Sequence, residues 1–234
     1  MRITHETYGI DIRLPRAVYV LDAVDEPVSV EGRLSSVRNL LEREDQVTIG
    51  HSGEVVVLRV MRGERNGEAL RSFADRLYRA CCGDGRDVYV VVTEAPAGEV
   101  APAYREASRI AGLLKRVGEP GGVYRAEEVQ LLRLVDDLPL DKKRELIART
   151  VGPLVNRPER DEWIHTLRVF FRCHLNVSEA ARQLHVHRNT LLYRLARIRE
   201  VTGRCPQQFP SAVELYAGLL AHLLDAPPSS PSGS

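Results

Sequence analysis

Residues 185–200, HVHRNTLLYRLARIRE, combine basic and amide side chains with the spacing of a helix. Leu191, Leu195 and Ile198 recur at i, i+4 and i+7, which predicts one apolar face packed against a core. Arginine, histidine and asparagine elsewhere on such a helix can donate hydrogen bonds to base edges and phosphates. The candidate DNA-binding residues are therefore His187, Arg188, Asn189, Thr190, Tyr193, Arg194 and Arg197.

The segment just upstream, NVSEAARQL, predicts a short helix that would position the candidate helix. Ser178 is the predicted N-cap, and the small side chains of Ala180 and Ala181 would let a second helix approach closely. His185 and Val186 leave room only for a tight turn. A short helix, a tight turn and a longer basic helix predict a helix-turn-helix.

In a helix-turn-helix, the N-terminal end of the second helix enters the major groove of DNA. We expect Arg188 to reach a guanine edge and Asn189 an adenine edge. The other polar side chains of the helix would then contact phosphates or bases. These are Thr190, Tyr193, Arg194 and Arg197.

The charge of the chain is distributed unevenly. Residues 160–204 hold nine arginines and four acidic residues, a net charge of +5. Because the whole chain carries +1, the remainder carries −4. A local basic surface is expected of a nucleic-acid-binding module. Amphipathic helices whose polar side merely meets water would give the same count, so this alternative stays open.

Two other kinds of chemistry fit the sequence less well. The nearby Cys173, His174, His185 and His187 match no common zinc-ligand spacing, so we expect no metal and no cofactor. The sequence contains no Gly-rich phosphate loop, no G-x-S-x-G motif and no plausible Cys/His pairing. We therefore expect the chain not to be an enzyme.

The composition is that of a folded soluble protein, with 44% hydrophobic and 28% charged residues. No apolar run approaches the ~20 residues of a membrane span, and the first residues do not resemble a secretory signal. The four cysteines form neither a CxxC pair nor a disulfide framework. These features predict a cytoplasmic protein with reduced thiols that does not contact a membrane.

The first half of the chain alternates between the two kinds of secondary structure. Residues 15–23 and 87–95 are β-branched runs that predict buried strands, and residues 47–60 predict a hairpin. Helical spacing predicts helices over 29–44, 66–82 and 103–118. This order is the βαββαβ pattern with one extra helix, which predicts an α+β fold with a ferredoxin-like α/β sandwich at the N-terminus.

The segment GEPGG, residues 118–122, breaks this pattern, and the rest of the chain is predicted to be helical. We expect an α/β domain over 10–122 and a connector of two helices over 123–160. An all-α helix-turn-helix domain would follow over 161–225. The Pro- and Ser-rich residues 226–234 predict a disordered tail.

Residues 176–203, NVSEAARQLHVHRNTLLYRLARIREVTG, closely resemble the C-terminal helix-turn-helix of bacterial PucR and CdaR transcription regulators. The resemblance is carried above all by HRNTL-x-YRL and continues upstream and downstream of it. Two positions differ from the family pattern, since His185 stands where glycine is frequent and Leu192 where arginine is common. The N-terminal half resembles the GGDEF-like domain of CdaR-type members. This implies a homodimeric transcription regulator that binds double-stranded DNA and answers an unknown small-molecule effector.

The same resemblance aligns the hairpin with the Gly-Gly-Asp-Glu-Phe loop of diguanylate cyclases. Only Glu54 survives of the loop's acidic residues, which implies a degenerate site. Asp22 and Asp25 follow the first strand, where the cyclases have a metal ligand. The alternatives are a nucleotide-binding or phosphoryl-transfer enzyme with a regulatory helical domain, and a module whose basic helix binds an acidic protein.

Overall fold

The structure, a computed structural model, describes residues 13–24, 29–61, 67–82 and 87–225. The chain divides into two compact units, Met1–Gln130 and Leu131–Ser234. The predicted disordered tail and Asp25 lie outside the described residues.

The N-terminal unit is built on a five-stranded sheet with the order β2-β3-β1-β4-β5. Its strands are β1 (Arg16–Ala23), β2 (Gln46–Ile49), β3 (Val55–Val60), β4 (Val88–Ala95) and β5 (Gly122–Arg125). The pairs β2–β3, β3–β1 and β1–β4 are antiparallel, and the pair β4–β5 is parallel. The order and directions of β1 to β4 are those of a ferredoxin-like sheet, so the predicted α+β class is confirmed.

Helices cover both faces of this sheet, which explains the uninterrupted apolar runs in its central strands. They are α1 (Val30–Arg38), α2 (Gly67–Cys81) and α3 (Val100–Val117). Tyr19 and Leu21 of β1 lie in one cluster with Phe73 and Leu77 of α2, and all four side chains are buried.

Two elements of this unit differ from the sequence-based prediction. Helix α1 ends at Arg38 rather than at residue 44, because Leu40 and Leu41 donate their N–H groups in turns to Val37 and Arg38. Strand β5 occupies residues that were predicted to begin a helix, and its backbone pairs with the open edge of β4. The sheet therefore extends beyond residue 122.

The C-terminal unit is helical throughout its described part. A 3-10 turn at Ala126–Val129 leads into it. Its helices are α4 (Gln130–Asp137), α5 (Leu140–Arg149), α6 (Gly152–Val155), α7 (Arg160–Arg172), α8 (Val177–Gln183), α9 (Arg188–Thr202) and α10 (Phe209–Asp225). Helix α10 packs against α5 and α7. Among the described helices, none combines the length and the apolarity needed to cross a bilayer.

Candidate nucleic-acid interface

Helices α7, α8 and α9 pack around a common apolar cluster. Leu191 and Leu195 of α9 are buried beside Phe170 of α7, as their spacing predicts. Ala180 and Ala181 of α8 belong to the same cluster and are 0% and 4% exposed. The small side chains therefore lie where two helices approach each other, which fixes one face of α9 in the core.

Helix α8 begins two residues earlier than an N-cap at Ser178 would allow. Its N-cap is Asn176, whose side-chain oxygen accepts a hydrogen bond from the Glu179 N–H at 3.1 Å. The predicted cap at Ser178 is wrong because asparagine, an equally good cap, stands two residues upstream and leaves the serine in the first turn.

The turn between α8 and α9 is a Schellman motif. The N–H of His185 donates to the Arg182 carbonyl at 3.1 Å, and the N–H of Val186 donates to the Ala181 carbonyl at 3.0 Å. His185 has a φ of 53°, a left-handed conformation that favours glycine. The turn keeps its geometry although histidine stands at the glycine position.

Replacing His185 with glycine is expected to stabilise the C-terminal unit by about 0.5–1 kcal/mol, because relief of left-handed strain exceeds the extra backbone entropy that glycine loses on folding. Trp163 is the single tryptophan and is buried in this unit, so its fluorescence in a urea titration reports the change. His185→Ala is the control, since alanine keeps the strain. A loss of stability in the glycine variant, relative to alanine, would contradict this account.

The N-terminal end of α9 faces solvent. His187 is the N-cap, and its ring Nδ1 accepts a hydrogen bond from the Asn189 N–H at 3.2 Å. Arg188, Asn189 and Thr190 are exposed, and Tyr193 is 65% exposed. Within the described part of the chain, Arg188 forms no ion pair. The structure thus brings five of the predicted residues together at one open end of the helix.

The other two predicted arginines are already engaged. Arg194 is only 19% exposed, and its Nη2 lies 2.5 Å from a carboxylate oxygen of Glu162 on α7. Arg197 pairs with Glu200 on its own helix. Arg199 was not singled out from the sequence, yet it is exposed and makes no ion pair with the residues described here. The only sequence feature that could have indicated Arg199 as a candidate is that it belongs to the arginine-rich segment 160–204.

The hairpin of the N-terminal unit has a carboxylate directed into the fold. Glu54 is 4% exposed and accepts hydrogen bonds from the Tyr104 hydroxyl at 2.5 Å and from the Ser52 N–H at 2.8 Å. Burial acts to raise the pKa of Glu54, but these hydrogen bonds outweigh it and lower the pKa. A Cβ on Gly50 would collide with this carboxylate. Glu54 therefore braces the hairpin against α3.

Asp22 lies at the end of β1 and is only partly exposed. Its carboxylate accepts a hydrogen bond from the Ala23 N–H at 2.9 Å. Burial raises the pKa of Asp22, and nearby Lys115 offsets part of that shift. The carboxylate of Asp22 thus interacts with the backbone at the end of its own strand, β1.

Residues 163–221 match the profile of the PucR C-terminal helix-turn-helix domain. The chain is 36% identical over 110 residues to the purine catabolism regulatory protein of Bacillus subtilis, covering 45% of this chain and 20% of that protein. It is 26% identical over 223 residues to the carbohydrate diacid regulator of Escherichia coli, covering 90% of this chain and 58% of the relative.

A solved structure, the regulator of polyketide synthase expression from Bifidobacterium adolescentis, is also similar to this chain. It has 20% identity and a TM-score of 0.37, with coverage of 91% of this chain and 82% of the other.

The helices, the exposed start of α9 and the profile match over residues 163–221 define a helix-turn-helix domain of the PucR type. Both curated relatives described above are named as regulators, and the match to the PucR family profile is confined to residues 163–221. The chain spans less than two thirds of the length of either of these relatives.

Proposed function

We propose that the chain is a sequence-specific DNA-binding transcription regulator that reads the major groove with α9. One observation carries the proposal. The apolar face of α9 is fixed in the core by Leu191, Leu195 and Ile198, while its N-terminal end presents Arg188 and Asn189 to solvent. A helix held on one side with free donors at its start is the arrangement that enters a major groove.

The side chains of α9 take different roles in this proposal. Arg188 donates two hydrogen bonds to a guanine, and Asn189 pairs with an adenine. Thr190 and Tyr193 contact bases or the backbone, and Arg197 contacts a phosphate. His187 caps the helix beside the DNA backbone. Arg194 reaches DNA only when its bond to Glu162 opens.

We further propose that the regulator acts in the cytoplasm as a homodimer. One helix-turn-helix contacts too few base pairs for useful specificity, so two copies would read half-sites about one helical turn (~34 Å) apart.

The N-terminal α/β unit would serve dimerisation or signal reception. The buried, hydrogen-bonded Glu54 supports this non-catalytic role, because a metal-dependent transfer site needs accessible carboxylates.

Glu162→Gln is expected to tighten binding to DNA of any sequence by a few-fold. The change frees Arg194 and adds one positive charge near the DNA, so the slope of log K against log salt should steepen by about one unit. Fluorescence anisotropy at several salt concentrations measures both effects.

The matched control for this variant is Asp161→Asn, which changes the net charge equally at the neighbouring position. Asp161 pairs with Arg160 rather than with α9. Equal effects of the two variants would mean that overall charge, and not the release of Arg194, governs affinity.

The proposal as a whole is tested by selecting fragments of the source genome with the purified chain and sequencing those retained. A recurring two-fold symmetric motif, lost in Arg188→Ala, is expected. Retention without sequence preference would refute specific reading by α9. Binding that is independent of DNA would favour an acidic protein partner.

A further inference from the structure

The sheet of the N-terminal unit ends in two edge strands, β2 and β5, which differ in composition. Strand β2 has the sequence QVTI and carries no charged residue. Strand β5 ends in Arg125, which forms an ion pair with Glu127. Natural sheets protect their edges with charged side chains, because an exposed edge can pair with another chain. Strand β2 lacks this protection.

The hydrogen bonds between β2 and β3 determine which backbone groups of β2 face outward. The Gly50 N–H donates to the Glu54 carbonyl at 2.8 Å, so these residues form a hydrogen-bonded pair. Along an antiparallel ladder, such pairs alternate with pairs that exchange no hydrogen bond. In the β2–β3 register Thr48 is the next bonded residue, so the N–H and C=O groups of Val47 and Ile49 point away from β3. Among the described residues, no strand lies beyond β2 on that side.

The side chains of β2 leave this edge open. Thr48 is exposed, and Ile49 is 50% exposed although it is apolar and belongs to a strand. Val47 is half-buried and packs against the core of the sheet. An uncharged edge with an exposed isoleucine and outward-facing backbone groups is suited to pairing with a further strand.

We propose that β2 pairs with β2 of a second copy of this chain, antiparallel about a two-fold axis at Thr48. In this register Val47 of each copy is opposite Ile49 of the other, so every outward-facing N–H and C=O group of the two residues forms a hydrogen bond. The apolar side chains of Val47 and the partner's Ile49 lie side by side on one face. The two Thr48 side chains face each other, and threonine pairs of this kind stabilise a sheet.

The inference rests on the proposed homodimer and adds the surface at which the copies meet. A contact between two four-residue strands is smaller than the ~1,600 Å² of a standard stable interface. The free protein is therefore expected to dimerise weakly, at concentrations between about 1 µM and 1 mM. The contact uses no residue of α9, so reading of a half-site does not depend on it.

Sedimentation equilibrium of the full chain tests the proposal through opposite charges at the two-fold axis. Thr48→Lys and Thr48→Glu should each weaken dimerisation at least tenfold, because like charges would then face each other. An equimolar mixture of the two variants should dimerise again, since lysine then faces glutamate. Ser72→Lys and Ser72→Glu are the controls, because Ser72 is exposed on α2 and the same charges there should change nothing.

A proline variant tests the backbone pairing itself. Ile49→Pro removes an N–H that points away from β3, whereas Thr48→Pro removes one that bonds to β3. The first should therefore abolish the dimer and largely keep the melting temperature, and the second should lower the melting temperature.

The outcomes separate this inference from the proposals on which it depends. A wild-type dimer that persists in both Thr48 charge variants would overturn the β2 contact and leave the homodimer standing. Failure of the mixed variants to associate would overturn the register at Thr48. A wild type that stays monomeric up to about 1 mM would overturn both the contact and the homodimer of the free protein. Binding of a single half-site, measured separately, tests the role of α9 alone.

Discussion

Arg188→Ala is expected to weaken binding to the cognate operator by roughly 1–3 kcal/mol, about 5- to 150-fold, while binding to random DNA changes little. Arg188 is exposed at the start of α9 and forms no ion pair with the described residues, so its donors are free for a base. Loss of a bidentate contact should also relax the preference at one base pair of each half-site. Competition binding with single-base operator variants measures that relaxation.

Arg197→Ala is the control for this prediction. Arg197 lies more than two turns further along α9, where a phosphate contact is expected, and it pairs with Glu200 in the free protein. Its removal should weaken binding to all sequences alike and reduce the salt slope by about one unit. If both variants affected operator and random DNA equally, the division into a base-reading and a phosphate-binding arginine would be wrong.

Leu195→Ala is expected to destabilise the C-terminal unit by about 2–5 kcal/mol, because it leaves a cavity in a packed core. Leu195 is 1% exposed and lies in the cluster that joins α9 to Phe170 and Ala181. Operator binding should fall in proportion to the unfolded fraction. Urea unfolding followed by the fluorescence of Trp163 measures the loss within this unit.

Leu192→Ala provides the same chemical change on the same helix. Leu192 is partly exposed and does not belong to the buried cluster, so the expected loss is below about 1 kcal/mol. A similar loss in the two variants would show that α9 is held by its own helical stability and not by this core.

Much of the fold was predictable because the buried strands carry a strong local signal. Strands β1 and β4 are continuous apolar runs, and the sheet buries them on both faces. Strand β5 has only four residues, and its pairing depends on the edge of β4, which is distant in sequence. The end of α1 at Arg38 was also missed, since helical spacing continues into Leu40 and Leu41, where the backbone instead turns. Local periodicity does not predict strand pairing between distant segments or a turn that ends a helix early.

The candidate interface was predictable to a similar extent. The apolar spacing of Leu191, Leu195 and Ile198 correctly assigned the buried face of α9. The engagement of Arg194 was not predictable, because Glu162 lies on a different helix and only the packing of α7 against α9 brings them together. Local periodicity does not indicate the left-handed backbone of His185 either; the signal is the resemblance, in which glycine is frequent at this position.

The imidazole cap of α9 lets the helix combine two demands that usually conflict. An aspartate at the N-cap would complement the helix dipole, but it would also place a negative charge where the proposed DNA-binding mode brings a phosphate group. The His187 Nδ1 accepts a hydrogen bond from the Asn189 N–H without adding a negative charge. The first turn of α9 also carries no acidic residue. In the proposed complex, the positive end of the helix is left for the nucleic acid to neutralise, so that the free protein forgoes some stability which the complex would recover.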